Sequence, residues 1–169
     1  MTMAINITNC PNRCTGCHSP HLQQDIGEEL NENLVISLMN KYASAITCIC
    51  FMGGDNDPQR LAELANFMRL HYPAIKVAWY SGCARLPQGF DSKDFQYIKL
   101  GGYVESLGNL KSEVTNQHLF EVQQDGRMED ISYLFKWHGN LNKRGNFFKK
   151  RSRSAKELNL KTKKDEGKS

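Results

Sequence analysis

Hydrophobic residues occur in two different patterns in the first 135 residues of the chain, as a continuous run and at helical spacing. Residues 46–52 form an apolar run without polar alternation, which predicts a strand covered on both faces, as in a parallel sheet. Apolar residues recur at helical spacing in residues 31–42 and again in residues 58–70. Asn31 and Asp57 stand at the start of these two segments, where side chains that cap helices are found. The pattern therefore predicts two amphipathic helices around a buried strand.

Further strands are predicted on either side of this unit. The segments are residues 4–8, residues 75–80 and residues 95–100, and a hairpin is predicted from residues 119–122 and 127–132 around Asp125-Gly126. The order of strands and helices is that of an α/β fold, and right-handed crossovers would make its main sheet parallel. We expect an α/β fold whose parallel sheet ends in a C-terminal hairpin.

Unusual residues follow each of the four strands predicted to be parallel. A cysteine loop begins at Cys10, Gly-Gly precedes Asp55, Ser81 precedes a glycine, and Gly101 is followed by a second glycine. In parallel sheets, functional groups gather where the strands end at their carboxyl termini. The sequence therefore predicts one site at this edge of the sheet.

The cysteine loop places three cysteines within eight residues, at Cys10, Cys14 and Cys17. Three thiolates are one fewer than a closed structural zinc site or a four-cysteine cluster uses, so a cluster on this loop would keep one iron open. The alternative is a structural zinc ion with His18 or His21 as the fourth ligand. The other cysteines are interpreted as small hydrophobic residues in or near strands, and these are Cys48, Cys50 and Cys83.

The charge divides the chain into two parts. Residues 136–169 carry twelve Lys or Arg against three Asp or Glu, whereas residues 1–135 carry ten against fifteen. We expect residues 1–139 to form one domain and residues 140–169 to form a basic, disordered tail. Because aromatic residues are few in this tail, a solvated terminus is favoured over a nucleic-acid site.

The composition and the motifs also indicate the compartment of the protein and exclude some classes of protein. The sequence contains no signal-peptide pattern and no apolar run as long as a membrane span. Its clustered cysteines do not resemble a disulfide framework, and no P-loop or Ser/His/Asp arrangement occurs. These features predict a cytoplasmic protein without a membrane partner.

The cysteine spacing is the cluster motif of the radical S-adenosylmethionine (SAM) superfamily. The longer text Cys10-x-x-x-Cys14-x-Gly16-Cys17-His18-x-Pro20 resembles the activating proteins of anaerobic ribonucleoside-triphosphate reductase. Further similarity lies in Gly53-Gly54-Asp55, Tyr80-Ser81-Gly82 and residues 97–101, and in all it covers about residues 4–135. The chain departs from the family at Asp55, Gly102 and His118, where Glu, Pro and Arg are usual.

The resemblance implies a [4Fe-4S] cluster on Cys10, Cys14 and Cys17. It implies that the amino and carboxylate groups of SAM chelate the fourth iron of this cluster. By the same resemblance, Gly16 and His18 would pack around the adenine of SAM.

The resemblance also assigns residues to the rest of SAM. Gly53, Gly54 and Asp55 would bind the methionine amine, Ser81 would contact the ribose or the methionine part, and Lys99 would pair with a carboxylate. The fold it implies is a partial (βα) barrel of the radical SAM type, with the cluster at the open end.

The function implied by the resemblance is activation of anaerobic, class III ribonucleotide reductase by forming a glycyl radical on it. Flavodoxin or ferredoxin would supply the electron. One alternative is an activase of another glycyl-radical enzyme. Another, from a different class, is a zinc-stabilised binding module whose basic tail holds an acidic partner or nucleic acid.

Overall fold

The computed structural model describes residues 1–136 of the 169-residue chain. Its strands are β1 (Thr2–Asn6), β2 (Cys48–Met52), β3 (Lys76–Tyr80), β4 (Tyr97–Leu100), β5 (His118–Val122) and β6 (Met128–Asp130). Its α-helices are α1 (Glu32–Tyr42), α2 (Pro58–His71) and α3 (Tyr133–Lys136), and short 3₁₀ helices span Pro20–Gln23 and Glu105–Leu107. The predicted tail, residues 140–169, lies outside the described residues.

The strands form one six-stranded sheet in which their order in space follows their order in the chain. Strands β1 to β4 are parallel, β5 runs antiparallel to β4, and β6 runs antiparallel to β5. The predicted α/β class is confirmed, as is a parallel sheet for the first four strands. The predicted hairpin joins the sheet at β4 and makes it partly antiparallel.

One face of the sheet packs on α1 and α2. Ile49 and Phe51 of β2 are fully buried against apolar residues of both helices, including Val35 and Leu64. On the opposite face, Cys50 lies in register between Ala4 and Ala78, in a smaller cluster that also contains larger side chains such as Tyr80. Four consecutive residues of β2 are therefore buried, as the unbroken apolar run predicts.

Both long helices begin where the sequence predicts. Asn31 Oδ1 accepts a hydrogen bond of 3.0 Å from the Leu34 amide, and Asp57 Oδ1 accepts one of 3.0 Å from the Arg60 amide. These side chains satisfy amide groups that lack a partner within the first turn of a helix. Arg60 also forms a bidentate ion pair with Glu32, at 2.7 and 2.8 Å, which joins the first turns of α1 and α2.

The first strand ends earlier than the predicted residue 8. Ile7 still donates its amide to Met52, but Asn9 adopts a positive φ of 58° and its amide bonds to Gln24. Cys10 likewise bonds to Leu22 rather than to the sheet. The cysteine loop is thus held by the segment that follows it, and this pairing between neighbouring loop segments shortens β1.

Among residues 1–136, no helix is long and apolar enough to cross a membrane. The longest, α2, spans 14 residues and carries charged residues along its exposed face.

Candidate functional site

The carboxylate of Asp55 lies at the centre of the site, just beyond the end of β2. Its Oδ1 accepts a hydrogen bond of 2.5 Å from the Ser81 hydroxyl. Its Oδ2 accepts bonds of 2.6 Å from Asn12 Nδ2 and 2.8 Å from the Gly82 amide. The donors come from the cysteine loop and from the end of β3, so one side chain joins three of the predicted segments. Hydrogen bonds to a charged acceptor are among the stronger ones in proteins.

Two glycines bring Asp55 to this position. Gly53 and Gly54 have φ values of 101° and 85°, which residues with a side chain rarely adopt. A Cβ on Gly53 would lie 2.9 Å from the Ile7 carbonyl oxygen, and one on Gly54 would lie 2.5 Å from Leu61. The carbonyl of Gly53 also accepts a 2.8 Å bond from Trp79 Nε1. The turn fits between β1, β3 and α2 only because it has no side chains.

Lys99 connects the ends of β3 and β4. Its side chain is buried, and Nζ donates to the carbonyl oxygens of Ser81 at 3.1 Å and Gly101 at 2.6 Å. Burial lowers the pKa of Lys99 below its ordinary value of 10.5, while the nearby groups Asp55 and Cys14 act in the opposite direction. Its observed partners are main-chain carbonyls, and the implied pairing with a ligand carboxylate stays a prediction.

The three cysteines of the loop are free thiols of intermediate exposure. Asn12 Nδ2 donates a hydrogen bond to Cys10 Sγ at 3.7 Å, and the Ser19 amide donates one to Cys17 Sγ at 3.4 Å. Cys14 Sγ lies against Gly102, where a Cβ would approach it to 3.2 Å. The loop therefore packs directly on Gly102, the second of the two glycines that follow β4.

The chemistry of these thiols fits an iron–sulfur cluster. Thiolates are the usual ligands of such clusters, and N–H donors to the sulfurs tune them. In the described part of the chain, however, no three His, Cys, Asp or Glu side chains are gathered closely enough to hold a metal ion. Ligands of a metal site commonly assemble only as the metal binds. The thiols of Cys10, Cys14 and Cys17 thus have the right chemistry to hold a cluster. They would have to move closer together as the metal binds.

Gly16 and His18 lie together on Tyr103. The ring centroids of His18 and Tyr103 are 5.0 Å apart, and a Cβ on Gly16 would lie 3.3 Å from the Tyr103 ring. Gly16 has a positive φ of 72°, so a side chain there would be strained as well as crowded. The two residues implied to contact adenine share one aromatic neighbour that sequence reasoning did not single out.

Cys83 and Asn12 are further residues of the site that the sequence did not identify. Cys83 lies beside β3, near a strand as predicted, but its Sγ contacts Asn12 Oδ1 at 3.9 Å and its amide donates to Ser81 Oγ at 3.0 Å. Burial raises the pKa of the Cys83 thiol, and the charge of Asp55 adds to this effect. Their positions offered a signal, because Asn12 lies between two loop cysteines and Cys83 follows Ser81-Gly82.

A cavity of about 780 Å³ lies beside the site, between β1, the segment of residues 25–30 and the start of α2. Ile5, Ile7 and Leu61 contribute apolar lining, and Gly54 forms part of its wall. The three loop cysteines and Asp55 do not line it, so the cavity and the carboxylate site are separate features.

Comparison with known proteins gave no identification: no protein-family model, no curated protein and no solved structure matches the chain.

Proposed function

We propose that the chain is a radical SAM activase that generates the glycyl radical of anaerobic, class III ribonucleotide reductase. When bound, a [4Fe-4S] cluster would supply one electron for the cleavage of SAM. This cleavage ends with removal of a hydrogen atom from a glycine of the reductase. One electron enters from a donor such as flavodoxin or ferredoxin. The products would be methionine and 5′-deoxyadenosine, the latter carrying the glycine's hydrogen atom.

The observation that carries this proposal is the contact between the cysteine loop and Asp55. Asn12 of that loop donates to the Asp55 carboxylate at 2.6 Å. A carboxylate held by the loop that carries three free thiols suits a ligand that binds a metal cluster through an amino acid group, because the carboxylate can accept a hydrogen bond from the ligand's amine. A zinc-stabilised module would have no need of this carboxylate.

The chain's own residues have distinct tasks in this proposal. Cys10, Cys14 and Cys17 would hold the cluster, and the Asp55 carboxylate would accept a hydrogen bond from the amine of SAM and so orient it. Lys99 fixes the ends of β3 and β4 through its two carbonyl contacts. Ser81, which is fully buried, orients Asp55 rather than contacting solvent.

The arrangement of the sheet also supports the proposal. Its first four strands are parallel and follow chain order, and α1 and α2 pack in one core on the same face of the sheet. A partial (βα) barrel has this order and this one-sided placement of helices, and its functional groups lie at the carboxyl ends of the strands.

The test begins with protein reconstituted anaerobically with iron and sulfide, then reduced and given SAM. We expect 5′-deoxyadenosine from the native chain and a loss of at least about tenfold in Cys14→Ala, since one cluster ligand is removed. Cys48→Ala is the matched control, because it removes a buried thiol of β2 and leaves the loop intact. A protein that binds zinc and forms no cluster would contradict the proposal in favour of the zinc module.

A second measurement identifies the partner. After addition of anaerobic ribonucleotide reductase, we expect a glycyl radical signal in electron paramagnetic resonance spectra that depends on SAM and on the reduced cluster. Production of 5′-deoxyadenosine without this signal would assign the chain to another glycyl-radical enzyme.

A further inference from the structure

We propose that Asn12 is the positioning residue that sets the Asp55 carboxylate for the amine of SAM and couples it to the cysteine loop. This inference rests on the proposed function and adds to it a residue of the loop that is not a cysteine. Asn12 acts through Asp55 and need not contact the ligand itself.

Both ends of the Asn12 amide are engaged. Nδ2 donates to Asp55 Oδ2 at 2.6 Å and also lies 3.7 Å from Cys10 Sγ. Oδ1 faces the Cys83 thiol at 3.9 Å. This orientation of the amide is chemically consistent, because a carboxylate only accepts hydrogen bonds and a thiol can donate one. Asn12 therefore connects a cysteine of the loop with the carboxylate across 43 residues of sequence.

The hydrogen bonds leave Asp55 oriented but not saturated. An ionised carboxylate has about four acceptor positions. Oδ2 takes donors from Asn12 and Gly82, and Oδ1 takes one from Ser81. One position on Oδ1 remains for an N–H of the SAM amine, and the bonds to Oδ2 determine the direction in which this position points.

Gly82 provides independent support for this role. Gly82 does not have a positive φ, so its backbone conformation does not require glycine. A Cβ at this position would instead collide with Asn12, approaching Nδ2 closely and Cγ to 2.9 Å. The missing side chain at residue 82 thus makes the room that the Asn12 amide occupies beside Asp55.

The experiment measures binding to the anaerobic, cluster-loaded chain rather than turnover. Equilibrium dialysis gives the Kd of SAM and of 5′-methylthioadenosine, which lacks the amino acid group that Asp55 would bind. We expect Asn12→Ala to raise the Kd of SAM about tenfold, because the Asp55 carboxylate loses the donor that sets its direction, and to change that of 5′-methylthioadenosine less than about twofold.

Gly82→Ala tests the same idea while retaining Asn12 and every cysteine. We expect it to weaken SAM binding in the same selective way, because its Cβ displaces the amide. In the double variant the amide is already gone, so binding should be no weaker than in Asn12→Ala alone. Such non-additivity is expected only of residues that act through a shared contact.

Several outcomes would overturn the inference. Equal weakening of both ligands, additive effects of the two substitutions, or loss of the cluster in both single variants would reduce Asn12 to a structural residue. If the native chain binds SAM and the variants bind it equally well, this inference alone fails. If the native chain forms a cluster and does not bind SAM, the proposed function fails with it.

Discussion

The Cys50 thiol is strongly shielded from water. It lies on the sheet face opposite the helices, and its residue is 5% exposed. Burial raises the pKa of this thiol from 9.0 to about 12, and the neighbouring Cys48 acts in the same direction. The thiol therefore stays protonated over the whole physiological range, consistent with a small core residue rather than a reactive one.

This shielding predicts a pH-dependent stability. In the unfolded chain Cys50 loses its proton near pH 9, whereas the folded chain keeps it until about pH 12. The unfolded state then binds fewer protons, so the free energy of unfolding falls as pH rises above 9. From pH 7.5 to 10.5, we expect the native chain to lose about 1–2 kcal/mol more than Cys50→Ala in urea unfolding under reducing conditions. Parallel pH profiles of the two proteins would contradict this.

At the scale of single residues, the sequence identified the site residues that belong to a motif. It did not identify those that belong to the site only through contacts in the folded chain. Asp55 and the three loop cysteines are recognisable from local spacing. Asn12 and Cys83 stand beside such motif residues, but their contact joins positions 71 residues apart and no local pattern records this contact.

At the scale of the element, the helix caps were the easiest feature to predict. The side chain of Asn31 replaces a hydrogen bond that the first turn of α1 cannot make for itself. We expect Asn31→Ala to lower the free energy of unfolding by about 1 kcal/mol in chemical denaturation. Asn40→Ala, the same change inside the same helix, should leave stability unchanged or raise it slightly, since Ala is the better helix former. Equal losses in both variants would rule out the cap.

The Gly53 turn offers a second comparison. Gly53 and Gly27 have similar φ values, 101° and 97°, but a Cβ would meet the Ile7 carbonyl only at Gly53 and nothing within 4 Å at Gly27. Gly27→Ala should cost about 1–2 kcal/mol from backbone strain alone. Gly53→Ala should cost more, because the end of β1 must also move. Urea unfolding of both variants measures this difference, and equal costs would show that the close approach is unimportant.

The strands were located within about two residues, yet their pairing was only partly predictable. Local alternation and the turn at Asp125-Gly126 predict a hairpin. They do not reveal that β5 pairs with β4, with Leu100 opposite His118, because the loop between them contains no regular pattern. The early end of β1 is similar, since it depends on loop contacts made by Asn9 and Cys10.

At the scale of the whole molecule, one core joins both long helices to the sheet. Leu64 of α2 is fully buried in this core, whereas Leu70 of the same helix is 65% exposed. We expect Leu64→Ala to lower the free energy of unfolding by about 2–5 kcal/mol because it leaves a cavity. Leu70→Ala should change it by less than about 0.5 kcal/mol. Circular dichroism during urea unfolding provides the measurement, and similar effects of the two substitutions would contradict this view of the core.

Because the strands lie side by side in the order in which they are synthesised, the fold suits assembly on the ribosome. Domains tend to fold from the N-terminus during translation, and here each new strand finds its neighbour already made. The cysteine loop is translated before Gly82 and Gly102, against which Asn12 and Cys14 pack. A nascent chain therefore carries its loop thiols without their later neighbours. Any metal that binds to the fully packed loop must arrive after residue 102 has left the ribosome.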